Sequence, residues 1–267
     1  MELGELLHNW YFRFVIIGLF VTVMERITPW RKNQNLIRPL LAQDIGWLVV
    51  NIYLFGLVAG PLVDIIDGGF DRLLETMGVV CPRYCNLLSA LPLVVQVLVI
   101  LVFLDFVEWG VHNLLHRVSF LWKFHRVHHS ISIMDWIGNF RFHPLELLFY
   151  HLFKYVPGVL LGASSEAVMI SGTFALLIGC LNHANLKISW GPFKYVLNSP
   201  VMHLWHHDAR VRGSAGVNFG VVFSSWDYLF GTAFMPKSEV PDRIGFEGDE
   251  VYPRSFARRL LVPLLDK

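Results

Sequence analysis

Residues 101–129 read LVFLDFVEWGVHNLLHRVSFLWKFHRVHH, and this stretch decides the fold. Its first part continues an apolar run, and Asn86 to Leu104 holds no charged residue. At about 1.5 Å per residue such a run crosses a bilayer core. Its second part carries five histidines at helical offsets. His112 and His116 sit at i and i+4, on one face of a helix that continues past the bilayer. Asp105 and Glu108 precede His112 by seven and four residues, so the four side chains form one polar stripe. Ionisable side chains in this position are costly and usually functional. His125, His128 and His129 fall on one face of the next helical turn.

Further apolar runs surround this one. Ile45 to Val63 has no charge, and Trp10 to Met24 is shorter and contains Arg13, which can snorkel from a helix end. Leu147 to Ala163 and Ala167 to Leu181 are separated by Ser164, Ser165 and Glu166. His151, Lys154, Pro157 and Gly158 interrupt the former, which predicts one limb of a helical hairpin that does not fully span. Hydrophobic residues make up 54% of the 267-residue chain and charged residues 16%, against about 25% in an ordinary soluble domain. The mean hydropathy is +0.49. The expected fold is all-α: a polytopic membrane protein of about four to five membrane helices with a cytoplasmic helical cap. Residues 1–100 are expected to form N-terminal membrane helices, 101–235 the catalytic region and 236–267 an interfacial tail. Met1-Glu2-Leu3-Gly4-Glu5 lacks a basic n-region, so no cleaved secretory signal is expected.

Loop charges set the orientation. Arg26, Arg31, Lys32 and Arg38 outnumber Glu25 and Asp44 in the first loop, whereas Asp64, Asp67, Asp71 and Glu75 outnumber Arg72 and Arg83 in the second. The first loop is therefore predicted to be cytoplasmic, and the long polar stretches 106–143 and 183–267 with it. Arg254, Arg258 and Arg259 beside Leu260, Leu261, Val262 and Leu264 read equally as an interfacial amphipathic helix or as a packing helix on the cap. A net charge of +1 gives no argument for nucleic acid. Cys81, Cys85 and Cys180 read as free thiols; a Cys81–Cys85 disulfide is open only in an oxidising compartment.

The spacing of the second cluster recurs in His203, His206 and His207, and His183 stands alone in Asn182-His183-Ala184-Asn185. These nine imidazoles are the candidate metal ligands. Clustered without a metal they would cost desolvation with no return. Nine are too many for one ion, and two ions with four or five imidazoles each fit, though ligand type alone does not choose among iron, zinc, copper and nickel. An all-imidazole pair of divalent ions should draw carboxylates onto the distal ring nitrogens. Asp105, Glu108, Asp208 and Asp227 are candidates, and simple surface carboxylates are the competing reading for each.

The pattern resembles the fatty acid hydroxylase superfamily, also called the sterol desaturase family, over about Leu101 to Thr232. The resemblance is carried by the histidines above and by their flanks: Asp105-Phe106, Leu121-Trp122-Lys123-Phe124, Arg141-Phe142-His143-Pro144-Leu145-Glu146, Asn218-Phe219-Gly220 and Trp226-Asp227-Tyr228-Leu229-Phe230-Gly231-Thr232. Some members carry a further histidine where this chain has Lys187, so water, Asn182 or Asn185 is left to fill a tenth ligand position. His143 is implied to lie around the site rather than to be a ligand. The resemblance implies an enzyme with two irons per chain that uses O2 to hydroxylate or desaturate a lipid C–H bond, the lipid being a sterol, a fatty acyl chain or a relative of these. The chain carries no Gly-rich dinucleotide fingerprint and no ferredoxin-like cysteine set, so electrons are expected from a separate protein. Lys123, Arg126, Lys187, Lys194, Arg210 and Arg212 offer that donor a docking patch, or simply follow the positive-inside rule. Trp109, Trp122, Trp136, Trp190, Trp205 and Trp226 are expected at the pocket or the membrane interface. The alternative is a histidine-rich membrane metal-binding or transport protein without oxygenase activity, whose site belongs near the bilayer midplane.

Overall fold

The computed structural model describes residues 8–54, 57, 65, 68–69, 72, 75–78, 88–236 and 240–265. Among these residues the secondary structure is helical, and β pairing is limited to the isolated bridges Pro29–Leu186, Leu197–Phe223 and Asp208–Ile244. The helices are α1 (Trp10–Ile27), α2 (Leu41–Val49), α3 (Leu93–Arg117), α4 (Ser119–His129), α5 (Pro144–Leu160), α6 (Ser165–His183), α7 (Pro200–His206), α8 (Ser225–Phe230) and α9 (Phe256–Leu265). Short 3₁₀ turns lie at Trp136–Phe140 and Gly191–Tyr195.

Two of these helices, α3 and α6, are long and apolar enough to cross a membrane, with mean hydropathies of 2.2 and 1.4. Of the expected run Ile45 to Val63, α2 and a π-helical turn at Val50–Leu54 account for the start, and most of the remainder lies outside the described residues. Cys81 and Cys85 lie outside them too, while Cys180 is a buried free thiol. α3 begins later than the apolar run does, because Pro92 has no N–H to extend a helix backwards and occupies the N-cap. α5 and α6 form where the sequence expects the two limbs of the hairpin, and each packs on α3. Ser164 caps α6 by accepting from Ala167 N, and buried Gln96 of α3 accepts from Ser164 N, which ties the hairpin to α3.

α3 packs against α4, α5 and α6, and α1 packs against α6. Ile17, Val21, Leu101, Ile178, Leu181, Leu186 and Val222 form the main core, between α1, α3 and the C-terminal part of α6. α1 approaches the cap closely at Gly18, where a Cβ would meet the Trp136 ring at 2.7 Å. α9 packs on α4, with Phe256 against Trp47 of α2. Its Leu261, Leu264 and Leu265 remain exposed, so the helix combines packing with an open apolar edge.

Beneath the core lies a charge network. Arg38 grips Asp135 through Nε and Nη2, at 2.5 and 2.6 Å, and meets Asp44 at 2.8 Å. Arg141 meets the same Asp44 at 2.5 Å and donates to the Ser130 carbonyl at 2.7 Å. All four charged side chains are buried, and their charges balance. This links the loop before α2 to the residue directly after His129. Removing one member leaves an uncompensated buried charge, which typically costs about 3–5 kcal/mol. Asp44→Ala should therefore markedly lower the melting temperature of the detergent-solubilised protein. An unchanged melting temperature would show that the network contributes nothing.

Candidate metal centre

The nine candidate imidazoles arrive on four helices, each for a local reason. α3 presents His112 and His116 in its last two turns, and α4 turns its buried face, His125, His128 and His129, toward them. His183 ends α6. α7 is started by Pro200 at N1 and by Ser199, whose hydroxyl accepts from Met202 N, and it delivers His203 and His206, with His207 at its C-cap.

The structure brings all nine together. They form two adjoining groups in which the ring nitrogens lie within 4.8 Å of one another: His112, His116, His125, His129 and His206 in the larger, and His128, His183, His203 and His207 in the smaller. His183 sits between the two triplets, its Nε2 3.1 Å from Nε2 of both His128 and His203. The two groups abut, with the His129 and His207 rings 4.5 Å apart.

The outward nitrogens explain the inward ones. His112 Nδ1 donates to the Phe219 carbonyl at 2.8 Å, His183 Nδ1 to Gly179 at 3.0 Å and His206 Nδ1 to Val217 at 2.9 Å. His125 Nδ1 donates to the Glu146 carboxylate at 2.6 Å. A neutral imidazole has one N–H, so in these four the Nε2 carries only a lone pair. Yet His112 Nε2 and His125 Nε2 face each other at 3.1 Å, and His206 Nε2 is buried with no hydrogen-bond partner. Converging lone pairs in a buried site repel unless a cation lies between them. The fit to a metal is also metric: metal–nitrogen bonds of about 2.0–2.1 Å place neighbouring ligand atoms roughly 3.0–3.4 Å apart. Six neighbouring Nε2 pairs across the two groups stand 3.1–3.2 Å apart. The residues therefore fit two ions held by imidazole.

Burial, aided by the neighbouring imidazoles, pushes His125, His128, His129, His203, His206 and His207 well below the ordinary value of 6.5, which keeps the ligand atoms unprotonated. Aromatic rings seal the centre. Phe142 stacks on His128 at 4.5 Å, Trp122 covers His116 and His129, and Phe219 lies against His112, His116 and His206. Gly216, with φ +114°, lets the loop pass His116, where a Cβ would meet Nδ1 at 3.2 Å.

The residues expected around the ligands are placed differently from the expectation. Neither Asp105, Glu108, Asp208 nor Asp227 bonds a candidate ligand ring. Asp105 instead accepts from Val222 N, Phe223 N and the Trp226 indole, and Asp227 from Phe219 N, Gly220 N, Thr232 and the Trp109 indole. Their effect on the site is indirect: Asp227 fixes the segment whose Phe219 carbonyl orients His112. Glu108 pairs with Lys154, and Asp208 with Arg212. His143 is bonded to Leu145 N and the Leu260 carbonyl, and Asn185 bonds Arg31 and Glu25. Asn182 reaches Val221 O, away from the ligands. Backbone carbonyls take the outward nitrogens of His112, His183 and His206, Glu146 takes that of His125, and Nδ1 of His128, His203 and His207 is buried with no hydrogen-bond partner, so none of these residues bonds an outward ring nitrogen. Among the described residues, Glu146 is the carboxylate that bonds a distal ring nitrogen, a role the sequence reading does not assign to it. Its signal was present, since a glutamate in the first turn of an apolar helix, fully buried, needs a partner.

The family model "fatty acid hydroxylase" matches residues 97–232. Ornithine lipid hydroxylase OlsE of Rhizobium tropici is 33% identical over 157 residues, 59% of this chain and 47% of that protein. Alkylglycerol monooxygenase of Xenopus tropicalis is 30% identical over 51% of this chain and 29% of its own length. Very-long-chain aldehyde decarbonylase GL1-11 of Oryza sativa subsp. japonica is 27% identical over 56% of this chain and 59% of its own length. The chain thus spans less than two thirds of each of these relatives. No solved structure gives a significant match.

Two measurements follow from the site. The six depressed imidazoles bind protons near pH 6.5 when unfolded but only at lower pH when folded. Their contribution to the stability of the metal-free protein is complete above about pH 6.5 and is lost as pH falls below it. Melting of the chelator-treated protein should shift downward between about pH 7.5 and 5.5; a flat profile would contradict their burial in neutral form. Glu146→Gln should weaken metal affinity by about 10–100-fold, as expected when a carboxylate behind a histidine ligand is neutralised. Wild-type affinity in that variant would remove Glu146 from the site.

Proposed function

Since this chain belongs to the fatty acid hydroxylase family, we propose that it is a membrane-bound, O2-dependent di-iron enzyme that oxidises a C–H bond of a lipid, with hydroxylation as the principal outcome. The observation that carries this reading is the pair of adjoining all-imidazole groups at the inner ends of two apolar helices. His112, His116, His125, His129 and His206 would hold one iron, and His128, His183, His203 and His207 the other. Two bound irons would supply the dioxygen activation that an unactivated C–H bond requires. The protein's own contribution is to fix nine lone pairs, to place the Glu146 charge behind His125, and to exclude water with Phe142, Trp122 and Phe219. The lipid and monooxygenase names of the relatives support a hydroxylase over a desaturase. The position of the histidines at one end of the helices, not midway along them, favours an enzyme over a transporter.

Hydroxylation with O2 as oxidant needs two electrons and two protons per turnover, one oxygen atom leaving as water. These 267 residues carry no dinucleotide fingerprint and no ferredoxin-like cysteine set, so a separate electron-donor protein is part of the proposal. The loop charges favour a multi-pass arrangement of four to five membrane helices with the metal centre in a cytoplasmic cap. Exposed Arg26 and Lys187, the latter with its Nζ 5.9 Å from the Trp30 ring centre, would lie on that side.

Lipid extracts from cells with and without the gene, grown under isotopically labelled dioxygen, test the reaction. A lipid that gains one labelled oxygen atom only when the gene is present is expected; no labelled lipid would contradict it. His128→Ala or His206→Ala should abolish the product, because a lost ligand misplaces an ion as well as weakening it. Full activity in either variant would exclude that residue as a ligand. Gly213→Cys, in an exposed cap loop, should be labelled from the cytoplasm only. Labelling from outside intact cells would place the donor's compartment on the other side.

A further inference from the structure

The segment 217–235 reads VNFGVVFSSWDYLFGTAFM and contains one acidic or basic residue, Asp227, which is fully buried. It lies beside α3, bonded to Asp105, and Asp105 lies within the apolar part of that helix. Asp105 is seven residues before His112, about 10 Å toward the membrane from the metal centre at 1.5 Å per residue. The segment thus runs down the flank of α3 to a depth where the helix faces hydrocarbon.

Its backbone is satisfied internally to a degree that a water-exposed loop does not need. Phe219 N and Gly220 N donate to Asp227, and Val222 N and Phe223 N donate to Asp105. The carbonyls are covered as well: Phe219 O by His112, Gly220 O by Asn198 Nδ2, Val221 O by Asn182 and Val222 O by Asn198 N. A Cβ on Gly220 would collide with the Phe223 carbonyl, so the turn closes tightly on itself. Irregular backbone at membrane depth is tolerated only when protein groups satisfy it. Two carboxylates and two buried asparagines do so here.

The outward surface is apolar. Leu229 is 72% exposed and Phe230 56%, and the 3₁₀ turn packed alongside through Tyr195–Tyr228 contributes Phe193 at 67% and Tyr195 at 55%. The Phe106 ring of α3 joins them, 4.9 Å from Trp226. Lys194 alone carries charge there, on a stem long enough to reach headgroups.

We infer that residues 217–235, together with 191–196, form a re-entrant wedge immersed in the inner leaflet, with Phe193, Tyr195, Leu229 and Phe230 in contact with lipid hydrocarbon. The inference rests on α3 crossing the membrane, as proposed above. It gives Asp105 and Asp227 a joint role: they allow non-helical backbone to hold His112 from the membrane side.

The test uses the full chain in phosphatidylcholine nanodiscs, with Cys81→Ser and Cys85→Ser, and single positions labelled with the fluorophore NBD. Leu229→Cys and Phe193→Cys probe the wedge, Leu98→Cys the exposed face of α3, and Val211→Cys the aqueous cap. The wedge labels should show the blue-shifted emission and loss of iodide quenching of Leu98→Cys, and be quenched by doxyl-labelled lipid. Wedge labels that behave like Val211→Cys, with Leu98→Cys in lipid, would overturn the wedge alone. Iodide quenching at Leu98→Cys as well would overturn both, locating the error in the span. Retained metal content in each variant establishes that the labelled protein is folded.

Discussion

The constraint on which the rest of this structure depends is a set of lone pairs turned toward one another. His112, His125, His183 and His206 each use their single N–H on an outward acceptor, which leaves Nε2 facing the centre. In a buried, rigid site that arrangement is stable only around cations. Most of the cap can be read as the apparatus that enforces it. The carbonyls of Gly179, Val217 and Phe219 fix ring orientation more rigidly than long side chains would, because helices and short turns hold them.

That apparatus reaches well beyond the ligands. Arg141 and Arg38 fasten the end of α4 to the loop before α2 through Asp44 and Asp135. Asp105 and Asp227 tether the segment that carries the Phe219 carbonyl. A balanced buried charge network adds little stability by itself but makes alternative packings costly. The same holds for carboxylates enclosed by backbone N–H groups. Positional precision is what a pair of ions with nine ligands requires.

Much of this was legible in the sequence. The His-x-x-x-His and His-x-x-His-His spacings place side chains on one helical face, and the length of the apolar runs places α3, α5 and α6. The lone His183 was legible only because an imidazole closing an apolar helix needs a partner. Side-chain partners were less legible than side-chain types. The sequence offers Asp105 and Asp227 to the imidazoles, whereas both accept from backbone N–H groups and indoles. A sequence does not show which nitrogens a folded loop will present. Glu146 and Arg141 sat in a quoted motif without a role, because their partners, His125, Asp44 and Ser130, are 21, 97 and 11 residues away.

The central claim is that nine imidazoles hold two metals in adjoining sites. Metal analysis combined with X-ray absorption on anaerobically purified protein tests it most directly. The account predicts about two ions of iron per chain and a ligand shell dominated by imidazole nitrogen at roughly 2.0–2.2 Å. One ion per chain, or a shell of sulfur or carboxylate oxygen with little imidazole, would contradict it.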